Sequence, residues 1–201
     1  MKKVVLISGL AKKLPDVIDA DLIGVDHGAS VIAQAGVTMK AAIGDFDSVD
    51  GTELKAIAEH AETIVKLVPQ KDETDTEEAI KYALAQGYEE IVIYGALGGR
   101  IDHEMANMYL LMHRRYPIMY IDDKNRVRVL KNGQYQVGNE FTYLSFLALE
   151  ESCISVNGVA YPMSHRIITL KDIFSISNEI TSEVCDIDIH YGRVLMMETR
   201  D

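Results

Sequence analysis

Tryptophan is absent, cysteine occurs twice, and positive charge is scarce: 20 Lys and Arg stand against 31 Asp and Glu, for a net charge of −11. A chain so poor in basic residues is a weak partner for a DNA or RNA backbone, which requires a basic stripe. A nucleotide stays open, because a divalent cation can bridge carboxylates to phosphates. Cys153 and Cys185 are far apart and in no metal-ligand spacing, so they read as two reduced thiols in a cytoplasmic protein. No apolar run approaches the ~20 residues that span a bilayer. The start, Met1-Lys2-Lys3-Val4-Val5-Leu6-Ile7-Ser8, superficially resembles a signal peptide. Its apolar stretch is too short and no small-residue cleavage site follows, so a first core strand is expected. The chain also lacks the Gly-x-x-x-x-Gly-Lys-Ser/Thr and Gly-x-Gly-x-x-Gly fingerprints, a Ser or Cys nucleophile motif, internal repeats and low-complexity segments, which excludes the two commonest nucleotide-binding modes.

What the chain does have is an alternation of short apolar runs and helical patterns over its first ~120 residues, the pattern of parallel βαβ units. The runs are Val4–Ser8, Leu22–Val25, Ala41–Ile43, Thr63–Val68, Ile91–Tyr94 and Ile118–Ile121. Several are nearly continuous in Val and Ile, as strands covered on both faces are. Thr74 and Glu77 predict a capping box, Ala79, Ile80, Ala83 and Leu84 the apolar stripe of the helix that follows, and Gly87 its end. A second helix is expected from Asp102, with Met105, Met108, Tyr109 and Met112 on one face as core filler.

Beyond Asp122-Asp123-Lys124-Asn125 the runs are short and alternating, separated by Asn132-Gly133, Gly138-Asn139, Asn157-Gly158 and Tyr191-Gly192. Asn-Gly between alternating runs is a hairpin signal, so this half reads as a small antiparallel sandwich or barrel. The expected fold is therefore α/β, with an N-terminal mostly parallel sheet and flanking helices over residues 1–122 and a C-terminal antiparallel β-sandwich over 123–201. Net charge is −8 in the first part and −3 in the second, which places the acidic chemistry in the α/β half.

Three clusters carry that acid: Gly44-Asp45-Phe46-Asp47-Ser48, Lys71-Asp72-Glu73-Thr74-Asp75 and Gly98-Gly99-Arg100-Ile101-Asp102-His103. Each follows an apolar run, where an open parallel sheet binds ligands, and Asp26 follows the second run in the same way. Carboxylates gathered there suit magnesium on a polyphosphate. In an extended segment Asp45 and Asp47 point to one side and can share an ion; the alternative is a solvated loop with Ser48 capping the next helix. Asp75 falls at the first helical position with Lys71 just before it, whereas Glu73, Glu77 and Glu78 read as helix-start charge. Gly98 and Gly99 allow close backbone approach, Arg100 offers a fork for phosphate, and Asp102 can ligate a metal or accept a proton, with His103 beside it.

Taken in order, the clusters resemble the thiamine pyrophosphokinase (thiamine diphosphokinase) family, whose pattern is Gly-Asp-x-Asp-Ser, Asp-x-Thr-Asp and Gly-Gly-Arg-x-Asp-His. Asp26-His27-Gly28-Ala29 is similar to an earlier Asp-Gly-Ala element, with His27 as a departure. Tyr161-Pro162-Met163 resembles Tyr-Pro-Leu, and Ser177-Asn178-Glu179 matches Ser-Asn-Glu. The resemblance implies an α/β nucleotide domain followed by a thiamine-binding β-sandwich, and transfer of the pyrophosphoryl group of ATP to the hydroxyl of thiamine. It implies a homodimer, with thiamine between the α/β domain of one subunit and the β domain of the other. It implies that Asp45, Asp47, Asp75 and Asp102 hold magnesium and the ATP phosphates, with Asp47, Asp75, Arg100 and Asp102 catalytic. Asp26, Gly28, Lys71, Asp72, Gly98, Gly99 and His103 would border the nucleotide, and Ser177 and Asn178 the thiamine. Either Asp102 or Asp75 would take the hydroxyl proton. Some members stack thiamine on a partner's tryptophan, which this chain lacks. Two other readings of the residues stand beside this one: a metal-dependent phosphohydrolase, which would release phosphate without thiamine, and a non-catalytic nucleotide or metal sensor, which would bind ATP without consuming it.

Overall fold

The structure is a computed structural model and describes residues 1–16, 19–47, 49–68 and 70–201. Its contacts divide into two compact units, Met1–Asp122 and Asp123–Asp201.

Among the described residues the first unit forms a parallel sheet of six strands: β1 (Lys3–Ile7), β2 (Asp21–Val25), β3 (Ala41–Gly44), β4 (Ile64–Lys66), β5 (Glu90–Tyr94) and β6 (Ile118–Ile121). Their spatial order is β6-β5-β1-β2-β3-β4. The chain runs outward from β1 through β4, then returns to β1's other side with β5, so the strand order reverses between β1 and β5. Helices α1 (His27–Gln34), α2 (Gly51–His60), α3 (Asp75–Ala85) and α4 (Ile101–His113) fill the crossovers after β2, β3, β4 and β5. Val5, Ile7 and Val92 point into a core shared with α1 and with Ile57 of α2. Val4, Leu6, Ile91 and Ile93, on alternate positions, are equally buried, so both faces are covered and the Val/Ile runs need no polar alternation.

Local details differ from the sequence reading. Thr74 Oγ1 accepts the Glu77 N–H at 3.1 Å, as expected. The reciprocal half of the box does not form, because the buried Glu77 carboxylate takes Arg114 Nε and the Tyr116 hydroxyl, each at 3.1 Å. Ser48 lies outside the described residues; the cap of α2 is Asp50, in a complete capping box with Glu53. The methionine face of α4 is not core filler: Met105 and Tyr109 are 56% and 59% exposed, and the helix buries Asn107, Leu110 and Leu111 instead.

The second unit is antiparallel: β7 (Asn125–Gly138), β8 (Tyr143–Ala148), β9 (Ser152–Asn157), β10 (Met163–Ile168), β11 (Asn178–Glu179) and β12 (Val184–Thr199). The two longest strands, β7 and β12, pair along their whole length. The opposite edge of β12 pairs first with β9 through Asp186–Tyr191, then with β8 through Val194–Thr199. The register slips between Ile189 and Arg193, where Gly192 adopts φ 86. A side chain there would collide with Ser152. That break lets one strand serve two partners around a core of Leu144, Phe146, Ile154, Val156, Ile187 and Met196. Asn132-Gly133 and Tyr191-Gly192 are consequently not hairpin turns; they lie inside β7 and β12 at the irregularity, where Asn132 Nδ2 donates to the His190 carbonyl.

Candidate active site

A cleft of about 430 Å³ opens in the first unit at the carboxyl ends of the strands, spanning the reversal between β1 and β5. Open α/β sheets bind ligands at this position. The cleft is lined by Ser8 to Leu10 after β1, Asp26 after β2, Asp45 after β3, Lys71 and Glu73 to Thr76 at the start of α3, and Gly95, Ala96, Gly98 and Arg100 after β5.

Three carboxylates meet there. Oxygens of Asp26, Asp45 and Asp75 lie within 4.8 Å of one another. Asp26 is carried in at φ 48, and its N–H donates to Ile43 O at 2.9 Å. Its Oδ1 is buried without a hydrogen-bond partner. Burial, contact with Asp75, and the charges of Asp75 and Asp45 push the Asp26 carboxyl up to about 7, with Lys71 partly offsetting them. Lys71 Nζ pairs with Asp75 Oδ1 at 2.5 Å. Burial pulls the Lys71 ammonium down, but Asp75, Asp45 and Asp26 outweigh it and hold it above its ordinary value. A lone buried carboxylate oxygen among two further carboxylates is the chemistry of a hard-cation site, and the donor set fits magnesium with water completing its shell.

Asp45 and Asp47 part company. Phe46 between them adopts φ 56 and is buried in the core, so the segment is not extended. Asp45 faces the cleft and accepts the Asp47 N–H on Oδ1 at 3.1 Å, while the Asp47 side chain is exposed. Asp102 also stands outside the group. Arg100 Nη2 meets its Oδ2 at 2.6 Å and Arg100 Nε its Oδ1 at 3.1 Å, on side chains 74% and 61% exposed. Arg100 first, helped by the His103 N–H, holds the Asp102 carboxyl at about 2 against the opposing desolvation. Of the residues singled out in the sequence, the cleft brings together Asp26, Asp45, Lys71, Asp75, Gly98, Arg100 and His103; Asp47, Asp72, Asp102, Gly28 and Gly99 do not line it. Asp72 is exposed. Gly28 is buried, and a side chain there would strike the Ile7 carbonyl, so it sets how closely α1 approaches β1.

The glycine loop after β5 has its own supports. Gly95, Gly98 and Gly99 all have positive φ, which an L side chain rarely tolerates. Glu104 Oε1 accepts the Gly98 N–H at 3.0 Å, and buried Asn107 donates to the Ala96 carbonyl at 2.8 Å. Sequence reading passed over both, and over Ser8. Asn107 did carry a signal, as a polar residue three and four positions before Leu110 and Leu111 on one helix face.

In the second unit Ser177 and Asn178 border a separate cleft of about 500 Å³ with Tyr161 to Ser164, Arg166 and Phe174. Asn178 is buried and clamps Tyr161: its Oδ1 accepts the Tyr161 N–H at 2.9 Å and its Nδ2 donates to Tyr161 O at 2.8 Å. Ser177, at φ 58, donates its N–H to Ser145 Oγ at 2.8 Å. Tyr161 is 76% exposed, and Arg166 lies 4.9 Å over the Phe174 ring.

Comparison with known proteins matches both units. A family model described as thiamin pyrophosphokinase, catalytic domain, matches residues 18–121, and one described as thiamin pyrophosphokinase, vitamin B1 binding domain, matches residues 125–194. Thiamine pyrophosphokinase of Bacillus subtilis is 31% identical over 186 residues, covering 89% of this chain and 87% of that one. Among solved structures, a thiamin pyrophosphokinase family protein from Enterococcus faecalis superposes with TM-score 0.88 at 27% identity, and the Bacillus subtilis enzyme with TM-score 0.87 at 29%. Each covers 100% of both chains.

Proposed function

The chain belongs to the thiamin pyrophosphokinase family and is an enzyme, and from that premise we propose that it transfers the pyrophosphoryl group of ATP to the hydroxyl of thiamine, giving thiamine diphosphate and AMP. The observation that carries this reading is the convergence of Asp26, Asp45 and Asp75 beside the Gly98–Arg100 loop at the strand-order reversal. Asp26, Asp45 and Asp75 are the residues that would hold magnesium, which when bound neutralises charge on the phosphates. Lys71 and Arg100 bring positive charge to the same cleft, and the backbone of Gly98 can approach the phosphates closely.

The thiamine hydroxyl oxygen forms a bond to the β-phosphorus. The bond from that phosphorus to the oxygen it shares with the α-phosphorus breaks, and AMP leaves with the electron pair. Catalysis is then mainly positioning and charge neutralisation. Of the two carboxylates considered for the hydroxyl proton, Asp102, held at about 2, is the poorer acceptor, and Asp75, inside the cleft, is the better placed. Thiamine is assigned to the cleft of Tyr161, Ser177 and Asn178, where exposed Tyr161 offers a ring face for stacking in a chain without tryptophan.

Homodimer formation belongs to the same reading. It is supported by exposed apolar side chains on the second unit, among them Leu170, Ile173 and Phe174, and on α4, Ile101, Met105 and Tyr109. Among the described residues no helix is long and apolar enough to cross a membrane, and both cysteines are buried free thiols, which accords with a cytoplasmic location. The direct check is consumption of ATP with magnesium present: it should require thiamine, and Asp75→Asn should suppress it while the protein stays folded. Phosphate release without thiamine would instead favour a phosphohydrolase, and binding without consumption a sensor.

A further inference from the structure

The loop after β5 is rich in glycine and yet held in place. Gly95, Gly98 and Gly99 adopt φ 79, 84 and 77, and Gly98 and Arg100 line the cleft. Glycine gives up more conformational freedom on ordering than any other residue. A loop of this composition, left loose, would lose that freedom only when a ligand bound, and affinity would fall accordingly. The groups that hold its middle come from α4.

Four backbone groups of the loop are engaged. Leu10, after β1, donates its N–H to Gly95 O at 3.0 Å. Buried Asn107 of α4 donates from Nδ2 to Ala96 O at 2.8 Å. Glu104 Oε1 accepts the Gly98 N–H at 3.0 Å, and the N–H of Glu104 itself donates to Arg100 O at 3.1 Å. Glu104 therefore holds the chain on both sides of Gly99. Three positions apart, Glu104 and Asn107 lie on one face of α4. Tyr120 of β6, fully buried, donates its hydroxyl to Asn107 O at 2.9 Å. The helix that holds the loop is thus tied to the sheet at the residue that does the holding. A carboxylate on a backbone N–H is a charge-assisted bond, stronger than a neutral one.

We propose that Glu104 and Asn107 are positioning residues for the nucleotide, holding the loop of residues 95–100 in its phosphate-receiving shape before ATP arrives. The proposal rests on the reading that puts the ATP phosphates at this loop. Neither side chain has to touch the nucleotide. Glu104 serves as an acceptor, and glutamine offers the same acceptor without the charge. Asn107 serves as a donor, a part that alanine cannot take. A different role for Glu104, as a carboxylate that keeps the Gly98 N–H from phosphate, has the opposite sign: its removal would tighten nucleotide binding.

The test is the Kd for ATP with magnesium, measured by calorimetry with thiamine omitted so that nothing is consumed. Glu104→Ala and Asn107→Ala should each weaken binding about tenfold, and Glu104→Gln should stay within about twofold of the wild type. Hydrogen exchange should quicken across residues 95–100 in the two alanine variants and not in Glu104→Gln. The KM for thiamine at saturating ATP should not distinguish the four proteins. A Glu104→Ala protein that binds ATP as tightly as the wild type, or more tightly, overturns the proposal. So does a Glu104→Gln protein as weak as Glu104→Ala, or a thiamine KM that rises in step with the Kd for ATP. Arg100→Ala runs beside them. If it leaves ATP affinity unchanged, the phosphates lie away from the loop, and that reading falls with the proposal. If it weakens binding while the Glu104 and Asn107 variants do not, the reading stands and the proposal alone fails. Should Asn107→Ala fail to fold, Tyr120→Phe takes its place: it removes the bond to the Asn107 carbonyl and keeps the ring. Weaker ATP binding with faster loop exchange is then expected, and no change in either overturns the proposal.

Discussion

Gly44 and Asp26 interlock: a side chain on Gly44 would overlap Oδ1 of the Asp26 carboxylate. The end of β3 must be bare for the Asp26 carboxylate to reach Asp45 and Asp75. Gly44→Ala is therefore expected to displace that carboxylate and lower kcat/KM about 10²-fold, the usual cost of a small misplacement at a reacting centre. Circular dichroism should remain close to wild type. A fully active Gly44→Ala enzyme would contradict the role given to Asp26.

The same carboxylate makes stability depend on pH and metal. The unfolded chain loses the Asp26 proton near the ordinary value of 3.8, the folded chain near 7. Between those values the native state binds more protons, so this group's contribution to stability is full below about 4 and is lost as pH rises through about 7. Above that, three carboxylates face one another and a divalent cation relieves them. Magnesium should raise Tm more at about pH 8 than at about pH 5.5, as differential scanning fluorimetry can record. Equal shifts at the two pH values would contradict a site built on Asp26.

Asp102 should behave unlike Asp75. Its pair with Arg100 is exposed, so solvent screens it and it holds little in place. Asp102→Asn is predicted to cost within about tenfold, chiefly in the KM for ATP, by freeing Arg100, and to leave the pH dependence of kcat unchanged above about pH 4. Asp75→Asn should cost more than about 10²-fold in kcat. Steady-state kinetics that reversed this order would return Asp102 to the centre of the chemistry.

Asn178 is expected to act through Tyr161. Asn178→Ala leaves the Tyr161 N–H and carbonyl without their partners, a loss of about 2–3 kcal/mol in urea denaturation. The KM for thiamine should rise while that for ATP stays put. If both rise together, or neither, the clamp does not position the thiamine cleft.

The fold class was legible because the Val/Ile runs of the first half are continuous and the second half alternates, and those patterns follow from burial on two faces or one. Turn residues misled at Asn132-Gly133 and Tyr191-Gly192, since an irregularity between two long strands needs the same backbone freedom as a hairpin. The methionines of α4 misled because composition does not say which face of a helix meets the sheet; Asn107 with Leu110 and Leu111 did. In the cleft, Asp26, Asp45 and Asp75 were readable from their place after strands. That Asp26, and not Asp47, completes the carboxylate group depends on positive φ at Asp26 and Phe46, a conformation non-glycine residues adopt rarely and local sequence does not announce. Glu77 looked like helix-start charge, yet its partners Arg114 and Tyr116 are more than 35 residues away in the chain.

The central claim is that the bond broken lies between the α- and β-phosphates of ATP. The measurement that tests it most directly is chromatographic identification of the nucleotide formed from ATP and magnesium, with thiamine present or absent. AMP should appear in equal amount to thiamine diphosphate, and only when thiamine is supplied. ADP as the accumulating nucleotide, or nucleotide turnover indifferent to thiamine, would contradict the account.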